Sequence, residues 1–331
     1  MKNPDAAYSR ISFVHLRGRA VVLALAACLL GASFAADAQQ AGSAPRAVTA
    51  PGTTTSDSPA SAAKQAAPAS AAPGSAAPSQ GMASSAPGPG SAGYLAAGAI
   101  DMLKVLPPAP VEGDTRYETD RLVFRETRAW EGSERWKMAS DDALADPADM
   151  LRHFSCSIGV ELNPANAPKI MGVAQRATRD AGREMSVAKD HFQRKRPFWI
   201  DPGNICRPRE ELGDTYDYPS GHATAGWTWA LVLAQVAPER ASQILARGRA
   251  IGESRVVCGV HNASAVEGGR YTADVVMAVT SVNAEFRADV DAAREELASL
   301  RKSGAKPDPG RCEREAALVA LPITGKERAG R

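Results

Sequence analysis

The stretch HATAGWTWALVLAQV, residues 222–236, is apolar on nearly every side of a helical wheel. A helix without a polar face must be surrounded by other elements, so it belongs at the centre of a domain. The flanking sequence is helical in pattern as well. Asn166 and Pro168 open a long helix over 166–195 that stops before Pro197. Pro238 separates the central helix from one over 239–257, and two more are expected near 271–283 and 284–302. Upstream, 148–160 reads as a short apolar helix, 114–138 as an exposed one and VLPPAP, 105–110, as an extended lead-in. No segment shows the apolar–polar alternation of a half-buried strand. The expected fold is all-α, a single helical-bundle domain over 93–331 with its functional groups at helix ends.

Two segments of other character precede that domain. Lys2, Arg10, Arg17 and Arg19 lead into AVVLALAACLLGASFA, an apolar run short for a membrane span. Residues 1–38 therefore read as a signal peptide, with Ala36-Asp37-Ala38 as the cleavage site and a periplasmic or secreted destination. Leu25-Ala26-Ala27-Cys28 offers a lipoprotein alternative, but the apolar run continues past Cys28. Residues 39–92 are nearly all Ala, Ser, Pro, Gly and Gln, which bury too little apolar surface to offset their ordering entropy, so a disordered linker is expected. No stable membrane span is expected in the mature chain. Export gives the remaining cysteines meaning: Cys156, Cys206, Cys258 and Cys312 allow two disulfides in three pairings. No C-x-x-C pair marks a structural zinc site. A net charge of +2 with 23% charged residues argues against a nucleic-acid partner.

Three short segments carry chemistry. In KDHFQRKRP, Lys189 and Arg196 lie seven residues apart, nearly two helical turns, and so would point the same way from a helix end. In YPSGHAT, a turn delivers Ser220 and Gly221 to the start of the apolar helix, whose unpaired N–H groups form an anion site with His222 at its mouth. In SRVVCGVHNASAVE, Arg255 extends a helix face made by Ile244, Gly248 and Ile251, so it should point inward, and His261 follows a turn at Gly259. A buried arginine needs a negative partner. Taken singly, these are also a solvated basic face, a serine N-cap, and an internal ion pair beside a core histidine. Together they supply three cations, a nest of backbone N–H groups and two histidines, the inventory that phosphoryl transfer requires. The same cations would repel a divalent metal.

Lys-x6-Arg-Pro, Pro-Ser-Gly-His and Ser-Arg-x5-His, in that order, resemble the signature of the type 2 phosphatidic acid phosphatase superfamily. Gly93-Tyr94-Leu95, the LPP at 106–108 and GESRVVCGVH at 252–261 are similar to its bacterial class A non-specific acid phosphatases, over roughly residues 93 to 300. The resemblance implies a secreted all-helical enzyme without cofactor or metal that hydrolyses small phosphate monoesters. Lys189, Arg196 and Arg255 would grip the phosphate, with donors from the Ser220 hydroxyl and the Gly221 N–H. His261 would attack phosphorus to form a phosphohistidine, and His222 would protonate the leaving group and later activate water. Small phosphate monoesters are the partners it implies, and a homo-oligomer stays open. The same site architecture binds vanadate in haloperoxidases, a more distant alternative.

The family's third motif ends in Asp four residues after the histidine, where this chain has Ala265. That carboxylate orients the ring of the nucleophile. Glu267 and Ser264 are the expected substitutes, although in a regular helix six residues turn Glu267 by about 240° from His261. Without a substitute the chain would be a weak or inactive phosphate-binding relative. An acidic working pH is expected, because His261 must be neutral while His222 is protonated and neighbouring cations lower histidine pKa values.

Overall fold

Ten α-helices and no strand make up residues 92–324, the part of the chain that the computed structural model describes. In chain order they are α1 (Met102–Val105), α2 (Thr115–Thr127), α3 (Glu134–Asp141), α4 (Pro147–Ile158), α5 (Pro168–Phe192), α6 (Gly221–Val236), α7 (Ala241–Val257), α8 (Ala263–Thr280), α9 (Ala284–Ser303) and α10 (Pro309–Ala320). The signal peptide, its cleavage after Ala38, Cys28 and the linker up to residue 91 lie outside the described residues.

The apolar helix α6 is central, with α5, α7, α8 and α9 packed around it. Trp229, Val232 and Leu233 of α6 meet Phe154, Ile170, Ile251 and Phe286 in the main core. At Gly248 the two axes of α6 and α7 come close: a Cβ there would stand 2.3 Å from that of Ala230. Glycine is required for this approach, which sets the C-terminal end of α7, with Arg255, beside the N-terminal end of α6.

Three expected boundaries are corrected. Residues 114–138 do not form one helix. Gly132 at φ +77° breaks the run, and Ser133 restarts it as α3 by accepting a hydrogen bond from the Trp136 N–H. The long helix ends at Phe192 rather than 195, because Gln193 turns into the left-handed region at φ 48°. Arg196 therefore stands on the loop after α5 and not on the same helix as Lys189. Helix α8 starts at Ala263, well before the expected 271, directly behind His261. The C-terminal helix α10 has no counterpart among the expected helices.

Two disulfides form, as the even cysteine number implied. Cys156 of α4 bonds Cys312 of α10, and Cys206 bonds Cys258, with Cα atoms 5.1 and 4.8 Å apart. The closed loops span 156 and 52 residues, for which chain entropy alone gives about 5 and about 4 kcal/mol of stabilisation. Among the described residues no helix is long and apolar enough to cross a membrane.

Candidate active site

The three sequence segments converge. Lys189, in the last turn of α5, donates from Nζ to the Tyr216 carbonyl at 2.9 Å. Arg196 is buried and reaches across the same loop, donating from Nε to the Thr215 carbonyl (2.9 Å) and from Nη2 to Thr215 Oγ1 (2.8 Å). Its Nη1 serves the Val260 carbonyl at 2.7 Å and the Nε2 of His261 at 3.0 Å. The loop 215–217 thus presents both cations to the third segment.

Arg255 is the outlier. It is 2% exposed, and its Nε and Nη1 have no hydrogen-bond partner among the described residues. Among the described residues no carboxylate lies within ion-pairing distance of it, so the negative partner expected from the sequence is not found there. Burial and the nearby Arg196 depress its pKa to about 9. Burial and Arg196 likewise bring Lys189 down to about 8. Three cations crowded against each other in a desolvated space raise one another's energy, and an entering anion relieves it.

Ser220 is buried and N-caps α6, its Oγ accepting from the Ala223 N–H at 3.4 Å. Its own N–H donates to the Ala265 carbonyl at 2.9 Å. Gly221 is the first residue of α6, so its N–H has no acceptor within the helix. On α8, a Cβ at Gly269 would stand 2.5 Å from the Ser220 carbonyl. Glycine there lets α8 press on the turn that carries the second motif.

The two histidines are held differently. His222 is half-buried and its Nε2–H donates to the Ala143 carbonyl at 3.1 Å, which leaves Nδ1 bare in the neutral ring. Arg255 and burial push its pKa down to about 3. His261 is buried, and its Nδ1–H donates to Asp217 Oδ1 at 3.0 Å. Its Nε2 keeps a lone pair, toward which Arg196 points. Burial, then Arg196, Lys189, Arg255 and His222, hold the His261 pKa well below the usual histidine value.

Neither expected orienter touches His261. Glu267 pairs with Arg116 at a half-exposed position, as its angle on a regular α8 requires. Ser264 donates its N–H to Asp120 Oδ1 at 2.9 Å, hydrogen-bonds Asp120 Oδ2 through Oγ, and accepts from Arg194 Nη1 at 2.6 Å. Asp217 is the residue sequence reasoning missed. It stands three before Ser220, and only the loop's path brings it to a histidine 44 positions on. Arg194, Asp120 and Asn262 were missed with it. The available signal was a carboxylate written directly before a motif that has to be buried.

Comparison with known proteins gives the family. Residues 173–287 match the PAP2 superfamily, a span containing all three segments. The chain is 39% identical to an acid phosphatase of Zymomonas mobilis over 65% of its own length and 82% of that protein. It is 36% identical to a non-specific acid phosphatase of Salmonella typhimurium (58% and 78% covered) and 34% identical to one of Providencia stuartii (62% and 84%). The chain belongs to the class A non-specific acid phosphatases of the PAP2 superfamily, a class of phosphoric monoester hydrolases.

Proposed function

We propose that the protein hydrolyses small phosphate monoesters without a metal, through a phosphohistidine on Nε2 of His261. The observation that carries this reading is Arg255, a buried guanidinium with two unpartnered nitrogens beside two further cations and a histidine lone pair. Lys189, Arg196 and Arg255 bind the ester's phosphate oxygens, with the Ser220 hydroxyl and the Gly221 N–H as further donors. Their charge supplies the stabilisation of the equatorial oxygens that a divalent ion supplies elsewhere.

His261 Nε2 attacks phosphorus in line. The P–N bond forms as the ester P–O bond breaks, and His222 gives the leaving alkoxide its proton from Nδ1. Neutral His222 then takes a proton from water, whose oxygen attacks phosphorus, and the P–N bond breaks. Phosphate leaves and both rings return to their starting states. A binding protein without turnover would need an unheld His261 ring, and no observation favours one.

We place the enzyme outside the cytoplasm, in the periplasm or secreted. The apolar leader and the two disulfides support that placement. Hydrolysis of p-nitrophenyl phosphate from pH 4 to 8 with excess EDTA, with His261→Ala run alongside, tests the reaction. Turnover should survive EDTA and fall by at least about 10⁴-fold in the variant. Loss of turnover with EDTA, or its survival in His261→Ala, would overturn the reading.

A further inference from the structure

We infer that Asp217 is the positioning residue of the nucleophile, resting on the reading of His261 as that nucleophile. It is completely buried, and its two carboxylate oxygens divide the work. Oδ1 accepts from His261 Nδ1–H at 3.0 Å and from the Asn262 N–H at 3.1 Å. Oδ2 accepts from Asn262 Nδ2 at 2.8 Å and lies 3.4 Å from Arg194 Nη1. A carboxylate on Nδ1 fixes the tautomer, so that Nε2 presents its lone pair to phosphorus. It also faces the positive charge that the ring acquires once Nε2 is bonded to phosphorus.

The carboxylate is itself held on several sides. Arg194 donates from Nη2 to Asp120 Oδ2 at 2.9 Å and from Nη1 to Ser264 Oγ. The chain thus runs Asp120, Arg194, Asp217, His261, from α2 through the loop after α5 to the residue before the N-cap of α8. Acidic and basic groups alternate along it, and the phosphorylated ring would continue the alternation. The Asp217 N–H donates to the Arg194 carbonyl at 2.7 Å, which ties the two ends of the connection between α5 and α6 by backbone as well as by side chain. Ala265 supplies no polar group on this side, and its methyl packs in the apolar cluster with Tyr218, the neighbour of Asp217. The ring's partner therefore comes from the segment ahead of the second motif instead of from α8.

Asp217→Asn tests the role without changing volume. An amide cannot serve both sides: with Oδ1 on His261, its NH₂ would meet the donors of Asn262 and Arg194, and flipped, it would drive His261 into the wrong tautomer. In the full-length protein, kcat for p-nitrophenyl phosphate should fall roughly 10²- to 10⁴-fold. KM and competitive inhibition by inorganic phosphate should stay within about threefold, because the three cations remain. Asp217→Ser combined with Ala265→Asp, which returns a carboxylate from α8, should recover at least about tenfold of the loss. Nitrogen-detected histidine NMR of the unaltered protein should show His261 protonated on Nδ1, a readout that needs no variant to fold. An Nε2–H tautomer, a kcat within about threefold of the parent in Asp217→Asn, or a loss shared equally by kcat and phosphate affinity would overturn the proposal. His261→Ala separates the failures. If it retains turnover, the nucleophile reading is wrong. If it is dead while Asp217→Asn is active, only the role of Asp217 is.

Discussion

Two buried charge clusters sit on successive residues of α7, and they are built on opposite rules. Ser254 belongs to the first. Its hydroxyl donates to Asp142 Oδ2 at 2.5 Å and accepts from Arg135 Nη1 at 2.9 Å. Asp142 also receives Arg247 through both Nη atoms, at 3.1 and 2.5 Å, and Arg247 Nε donates to the His153 carbonyl. His153 Nε2–H donates to the Leu144 carbonyl at 2.9 Å. Asp141, Asp142 and His153 come close enough together to suggest a cation site, but the Arg247 guanidinium already neutralises Asp142. Arg255, one residue on, belongs to the second cluster, where Lys189, Arg196 and Arg255 come together near Asp217, a carboxylate committed to His261, Asn262 and Arg194. The first cluster closes on itself and is scaffold. The second leaves two Arg255 nitrogens without a partner among the described residues and is the candidate site. The two are joined, since Ala143, whose carbonyl holds His222, directly follows Asp142.

The contrast is broken most severely by exchanging arginine for methionine in each cluster. Arg255→Met should lower kcat/KM about 10²- to 10⁴-fold while leaving thermal stability unchanged or raised, because it removes a desolvated charge without a partner. Arg247→Met should do the reverse. It strands Asp142 and should cost about 3–5 kcal/mol of stability, with the kcat of the folded fraction close to that of the parent. Activity assays and denaturant melts of the two variants side by side check this, and a pair that behaved alike would erase the distinction.

The second expected effect is on pH dependence. Burial and the neighbouring cations hold the His261 pKa well below the usual histidine value, which favours the neutral ring that attacks. His222, at about 3 in the free enzyme, must be protonated to act as the acid. The competent fraction of free enzyme therefore falls as pH rises above about 3, until a bound phosphate's negative charge raises the His222 pKa. The alkaline limb of kcat should consequently lie at higher pH than that of kcat/KM. Lys189, depressed below the usual lysine value to about 8, carries its charge below that pH and loses it above, so KM should rise above about pH 8. Full pH–rate profiles would show both features, and coincident limbs for kcat and kcat/KM would contradict the first.

The smallest effect is expected at Ser264. It touches Asp120 and Arg194 but not the ring, so Ser264→Ala should lower kcat by about tenfold or less, with KM unchanged. A loss as large as that of Asp217→Asn would move the ring's support from Asp217 to the Asp120–Arg194 pair.

The sequence carried the all-α fold and the three segments that converge at the candidate site, because those signals are local. Prolines at 168 and 197 bracket α5, an unbroken apolar surface marks α6, and one helix face predicts that Arg255 points inward. What it did not carry depends on distant contacts or on caps. Gly132 splits α2 from α3 by a single left-handed residue inside a polar pattern. Asn262 starts α8 within a run of small residues that has no apolar period. The disulfide pairing joins positions that no spacing connects. Asp217 was invisible for the same reason: its partner is chosen by the fold of a loop, and a search for the ring's support on the helix behind His261 looks on the wrong side.

The central claim is that His261 takes the phosphoryl group. Rapid mixing with p-nitrophenyl phosphate, alkaline quenching and mass analysis of the peptide around residue 261 test it most directly. One phosphoryl group should appear on His261 within a single turnover, and none in His261→Ala. A steady-state enzyme with no phosphoryl group at any time point, or with phosphate on another residue, would contradict it.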